Sequence, residues 1–149
     1  RAHGNRPFGA LLVGGNGVVL SAAENSQITD EQVLAHAEMN LLQRAVRDFT
    51  PDVLASSTLY ASAEPCAMCA GKMYWAGIRS VVYALSAQEL AQLAGGSFLV
   101  PCRELFARAA EPVTVIGPLL LSEAREVHLG YWSSQTTDSH AIMGTPYSK

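Results

Sequence analysis

Charge is what this chain has least of. Asp, Glu, Lys and Arg make up 15% of its 149 residues, against roughly 25% in an average soluble domain. Its net charge is −3, and no stripe of Lys and Arg runs along any segment. Broad electrostatic capture of nucleic acid depends on such stripes, so a nucleic-acid partner is disfavoured, although a small local basic patch stays open. Long apolar runs are also missing. None approaches the ~20 residues of a membrane span. Cysteine is scarce: Cys66 and Cys69 form one Cys-x-x-Cys and leave Cys102 unpaired. That is not a disulfide framework, and a reducing cytoplasm is the simplest setting. A surface so poor in charge suggests that another subunit covers part of it, and a homodimer is expected.

What the chain does have is apolar material, 49% of its residues, enough at this length for one domain with a continuous core. Residues 1–149 read as that single domain, with a Ser-, Thr- and Gly-rich tail from about residue 133 that reads as mobile or engaged by a partner. Arg1 to Arg6 is polar and reads as trailing from a preceding helix. Phe8 to Val13 and Val18 to Ala23 are apolar runs joined by Gly14-Gly15-Asn16-Gly17, a β-hairpin pattern. Glu24 to Glu31 reads as a loop. Helical spacing of Ala37, Leu41, Leu42, Ala45, Val46 and Phe49 predicts a helix over Leu34 to Phe49, ended by Pro51. Thr58 to Ala61 and Ser80 to Ala84 are β-rich, Cys66 to Ala76 and Ser86 to Ala94 helical. A helix over Arg103 to Ala110, a strand over Val113 to Gly117 and a last helix over Ser122 to Trp132 follow. A hairpin followed by helix–strand alternation is an α/β domain with a mixed sheet and helices on both faces.

Two short stretches carry the chemistry: His36-Ala37-Glu38 and Pro65-Cys66-Ala67-Met68-Cys69. One His and two Cys make a three-ligand set suited to zinc, leaving one tetrahedral position open as catalytic sites do. Cys66 and Cys69 are three apart at a helix start and share a face, where free N–H groups favour thiolate. His36 and Glu38 are two apart, so they converge only if His36 sits at the cap and Glu38 in the first turn.

This pattern, H-x-E with P-C-x-x-C, is the signature of zinc-dependent deaminases. From about Pro7 to Ala84 the sequence resembles the cytidine deaminase superfamily, closest to its guanine deaminase and tRNA adenosine deaminase branches. The resemblance implies a three-layer α/β/α sandwich around a five-stranded sheet, one zinc per chain held by His36, Cys66 and Cys69, and Glu38 as proton shuttle. It also implies a pocket. Asn25, eleven residues before His36, matches an Asn that hydrogen-bonds the base. Phe8, in Pro7-Phe8-Gly9-Ala10, matches an apolar residue packed on it. The Ala37 N–H matches the group holding a ring carbonyl or nitrogen, and the Glu64 backbone faces the reacting amino group. Trp75, six after Cys69, matches an aromatic of bacterial guanine deaminases, and Tyr131-Trp132 a C-terminal lid. Core or dimer packing is the competing role for each aromatic, and a turn satisfying its own backbone is the competing role for Asn25.

Flat apolar walls suit a purine. The expected activity is hydrolytic deamination of a free nucleobase or related small heterocycle, guanine-like in the first instance, with ammonia released. Gly95-Gly96-Ser97-Phe98 lacks the carboxylate that some guanine deaminases carry in that loop, and nothing selects Glu123 or Glu126 in its place. Competing readings are a tRNA adenosine deaminase, a cytosine- or cytidine-type deaminase, and an inactive zinc-fold binding module. A thioredoxin-like redox pair leaves His36 and Glu38 without a role, and a closed structural zinc would need Cys102 as fourth ligand. His3, His128 and His140 read as structural.

Overall fold

Alternating apolar and small residues after Pro7 form β1 (Gly9–Val13), and the glycine-rich turn returns the chain as β2 (Val19–Glu24). The computed structural model describes residues 2–96 and 98–132. Beside β1 lies β3 (Thr58–Ala63), antiparallel to it; β4 (Ser80–Leu85) and β5 (Thr114–Ile116) then run parallel to β3. The order β2-β1-β3-β4-β5 is a mixed five-stranded sheet, as expected for a cytidine deaminase-like α/β fold.

Helices α1 (Ala37–Asp48), α2 (Pro51–Ala55), α3 (Ala67–Trp75), α4 (Ala87–Ala94), α5 (Cys102–Phe106) and α6 (Leu121–His128) join these strands. Period-two alternation turns Ala10, Leu12, Leu59, Ala61, Val81 and Tyr83 to one face of the sheet. Against them α1 buries Leu41, Leu42 and Ala45, and α3 buries Ala70 and Met73. Leu90 and Ala94 of α4, with Leu121 and Ala124 of α6, close over Ala63 and Leu85. Each fully buried Leu or Met stabilises the fold by about 1.5–3 kcal/mol, so Leu12, Leu41, Leu42, Leu59 and Met73 anchor the two helices that carry the motifs. The opposite face is more open. In register across it run Leu11, Tyr60, Val82 and Ile116, of which Leu11 and Tyr60 are 41% and Ile116 46% exposed.

Helix boundaries differ from the sequence reading where loops or caps compete. The helix expected from Leu34 starts at Ala37, because the preceding loop is tied to itself through Ser26 N–H to the Ala35 carbonyl and Gln27 Nε2 to the Val33 carbonyl. Pro51 ends no helix alone; it opens α2 at its first position, where a missing N–H is harmless. The last helix stops at His128, before Gly130 at φ 71°. Gly117 is required for space, since a Cβ there would lie 2.7 Å from the Tyr83 ring and carbonyl. No helix among the described residues is long and apolar enough to cross a membrane. The tail from 133, His140 and Ser97 lie outside the described residues.

Candidate active site

Strand direction assembles the site. β1 is antiparallel to β3 with Ala10 opposite Ala61, so the residues that enter β1 lie beside those that leave β3. Arg6 and Phe8 are thereby brought next to Glu64 and Cys66. Gly9 pairs with Glu24 at the end of β2, which adds Asn25 and Gln27 to the same corner. The corner lies at the carboxyl end of parallel β3 and β4, where open α/β sheets hold ligands.

His36 and Cys66 are the N-cap residues of α1 and α3, in extended conformation with ψ 154° and 168°. Glu38 stands in the first turn of α1. The two helix N-termini converge, and Lys72 braces them by donating from Nζ to the Met39 carbonyl and Gln43 Oε1 at 3.1 and 3.0 Å. His36 Nδ1 lies 3.8 Å from Cys66 Sγ and 3.6 Å from Cys69 Sγ, and the sulfurs are 3.6 Å apart. A tetrahedral zinc bonded at ~2.3 Å to sulfur and ~2.0 Å to nitrogen sets its ligand atoms about 3.5–3.8 Å apart. The donor set therefore fits zinc in both chemistry and size. Among the described residues these three are the group placed to hold a metal, and Cys102 is not one of them. It is buried at the start of α5.

The electrostatics of the triad suit a metal. The hydrogen bond between the two sulfurs, helped by His36, brings the Cys66 thiol down to about 4. That bond and burial push Cys69 up, so the pair shares one proton, which metal binding displaces. Burial opposes a charged His36, but the hydrogen bond and charge of Cys66, together with Glu38, outweigh it and raise the imidazole above its ordinary range. Glu38 lies beside the triad, its Oε2 3.5 Å from Cys69 Sγ. Burial raises its carboxyl above the usual carboxylate range, against the pull of its own backbone N–H and His36.

A narrow cleft opens onto the triad, lined by Phe8, Asn25, Ala37, Glu38 and Glu64, with Arg6, Gln27 and Leu90 as residues the sequence did not single out. Helix geometry leaves the Ala37 N–H without an intrahelical acceptor. Asn25 is 1% exposed; its Oδ1 accepts from Gln27 N–H at 3.1 Å and its Nδ2 donates to Gln27 Oε1 at 2.9 Å. The Glu64 carboxylate is occupied elsewhere, accepting from Ala87 N–H at 2.9 Å and Cys102 N–H at 2.8 Å. Two aromatics do not line the cleft. Trp75 is 86% exposed and edge-on to Tyr74, because six helical residues carry it about 9 Å along α3 and about 240° around from Cys69. Trp132 is 6% exposed and stands behind Phe8, ring centroids 6.2 Å apart, stacked on His128 and donating from Nε1 to His128 Nδ1 at 3.1 Å. Glu123 and Glu126 are exposed on α6 and do not line the cleft. Arg6 and Gln27 left no sequence signal beyond lying in polar stretches, and Leu90 none beyond lying in an expected helix.

The sequence model for the cytidine and deoxycytidylate deaminase zinc-binding region matches residues 1–85. A probable cytosine deaminase of Schizosaccharomyces pombe is 36% identical over 140 residues, 89% of this chain and 83% of that protein. The tRNA-specific adenosine deaminase of Bacillus subtilis is 38% identical over 80 residues, 54% of this chain and 49% of that protein. Among solved structures, guanine deaminase from Nitrosomonas europaea matches with a TM-score of 0.73 and 27% identity over 89% of this chain and 76% of that one. The names of these relatives divide among three substrates. With its triad, fold and sequence in agreement, the chain belongs to the zinc-dependent cytidine and deoxycytidylate deaminase family.

Proposed function

We propose that the protein hydrolytically deaminates a free nucleobase or related small heterocycle, releasing ammonia. One observation carries this reading: a buried carboxylate, Glu38, stands beside an open three-ligand zinc set at the floor of a narrow cleft. Zinc supplies Lewis-acid polarisation there, making water acidic enough to lose a proton near neutral pH. Glu38 takes that proton. Its raised pKa suits a group that must then give that proton to the ring nitrogen as oxygen adds to the amino-bearing carbon. Later it carries the proton of the added hydroxyl to the leaving amine as the carbonyl forms. Phe8 stacks on the ring, and the Ala37 N–H and the Asn25 amide hold its edge. The Glu64 backbone faces the departing amino group. An inactive binding module would have no use for Glu38.

A guanine-like purine remains the first candidate, supported by the aromatic wall of Phe8 and by the solved guanine deaminase fold. A cytosine-type ring is the second reading, favoured by the fungal relative aligned to 89% of the chain. Acidic balance and a narrow cleft argue against tRNA. Ammonia release from guanine, cytosine, adenosine and a tRNA anticodon hairpin tests the proposal. Turnover of a free base is expected; activity confined to the hairpin and lost steeply with salt overturns it.

A further inference from the structure

The metal triad is built from two pieces of chain that folding has to align. Cys66 caps α3 and Cys69 lies in its first turn, so one helix start sets both sulfurs. The imidazole arrives on another helix, because His36 caps α1 and precedes Cys66 by 30 residues. Burial of Leu41, Leu42, Ala70 and Met73 holds both helices on the sheet, but the hydrophobic effect is non-directional. The register of one helix end against the other calls for directional bonds. Among the described residues, the hydrogen bonds between α1 and α3 outside the triad and Glu38 both come from Lys72. Its Nζ donates to the Met39 carbonyl at 3.1 Å and to Gln43 Oε1 at 3.0 Å. Residues three apart share a helix face, so the face of α3 that presents Cys66 and Cys69 goes on to present Lys72, about 4.5 Å further along the axis. Met39 and Gln43, four apart, share a face of α1 in the same way, and Met39 follows Glu38 directly. A half-buried ammonium on a flexible stem thus spans the two helices about one turn behind the triad.

We propose that Lys72 is a positioning residue of the metal centre, fixing α1 against α3 so that His36 stands in register with Cys66 and Cys69 before zinc arrives. The three ligand atoms already lie 3.6 to 3.8 Å apart, the spacing that tetrahedral zinc requires. A triad held at that spacing loses little order on binding the metal. Without the brace, part of the binding free energy goes into bringing the helix ends together. Removing a group that orients metal ligands from outside the ligand set typically lowers metal affinity by about 10–100-fold. The inference rests on the triad and not on the free-base reading, so it holds whichever ring is deaminated.

Lys72 also lies in the last turn of α3, where a cation complements the helix dipole and stabilises the fold with or without metal. The test separates the two roles. Lys72→Met keeps the stem and removes the donors. Its zinc affinity, read by competition with a chromogenic chelator, should fall by about 10–100-fold. By linkage, its melting temperature should then fall further in the zinc-loaded protein than in the zinc-free one. Lys72→Arg keeps the charge and has donors for both acceptors, so it should restore most of the affinity. Unchanged zinc affinity in Lys72→Met would leave Lys72 with the dipole role alone and overturn the proposal. An affinity loss that Lys72→Arg does nothing to restore would overturn it too. Should Lys72→Met fail to fold, Gln43→Ala removes one acceptor and leaves the lysine in place. That variant should weaken zinc by a smaller factor, and unaltered affinity there overturns the proposal. Wild-type protein that binds no zinc would end the role of the triad, and that of Lys72 with it.

Discussion

Glu38 sits 3.5 Å from the Cys69 sulfur without belonging to the metal triad, so its replacement separates chemistry from metal binding. Glu38→Gln should fold and keep one zinc per chain while losing about 10²–10⁴-fold in turnover, the usual contribution of a positioned acid–base group; metal analysis alongside ammonia release checks both halves. Cys102 poses the converse question. Burial first, and the nearby Glu64 carboxylate second, push its thiol up to about 12, so below that pH it stays neutral and unreactive. Cys102→Ser should leave zinc content unchanged, and elemental analysis showing lost zinc would restore a closed four-ligand site. The ligands and Glu38 were legible in the sequence because caps and i, i+3 spacing are local. Arg6 and Gln27 were not, since only the antiparallel pairing of β1 with β3 and the return of β2 bring them to the cleft. Trp75 was misleading for a related reason: its spacing matched a family position, but the helix turns it outward.

Between elements, Glu64 acts as a clamp. One carboxylate holds the first amide of α4 and the first amide of α5, tying both to the strand end that leads into Cys66. Glu64→Ala leaves these amides without an acceptor, at about 1–3 kcal/mol for each buried group. Urea unfolding should register a loss of about 2–5 kcal/mol, with a smaller loss for Glu64→Gln, which keeps one acceptor oxygen. A variant as stable as wild type would show that water replaces the clamp. Strand and helix identities were readable from period and turn chemistry, as in the Gly14 to Gly17 turn and the α1 stripe of Leu41, Leu42 and Ala45. Boundaries were less so. Pro51 illustrates why: the same residue that stops one helix is well suited to open the next.

At the scale of the whole molecule, an apolar row of Leu11, Tyr60, Val82 and Ile116 crosses one sheet face, on a chain that is only 15% charged. Both features favour self-association, and sedimentation at micromolar concentration should give a dimer; a fully active species at the 15.9 kDa monomer mass would contradict it. The two tryptophans give the molecule separate optical reporters. Trp75, 86% exposed, should emit as an indole in water, at long wavelength, whereas Trp132, 6% exposed and stacked on His128 behind Phe8, should emit to the blue. Light from the first is sensitive to whatever touches the far end of α3, and light from the second to what lies against the Phe8 wall. One emission spectrum thus separates events at the outer surface from events at the cleft, with no label added.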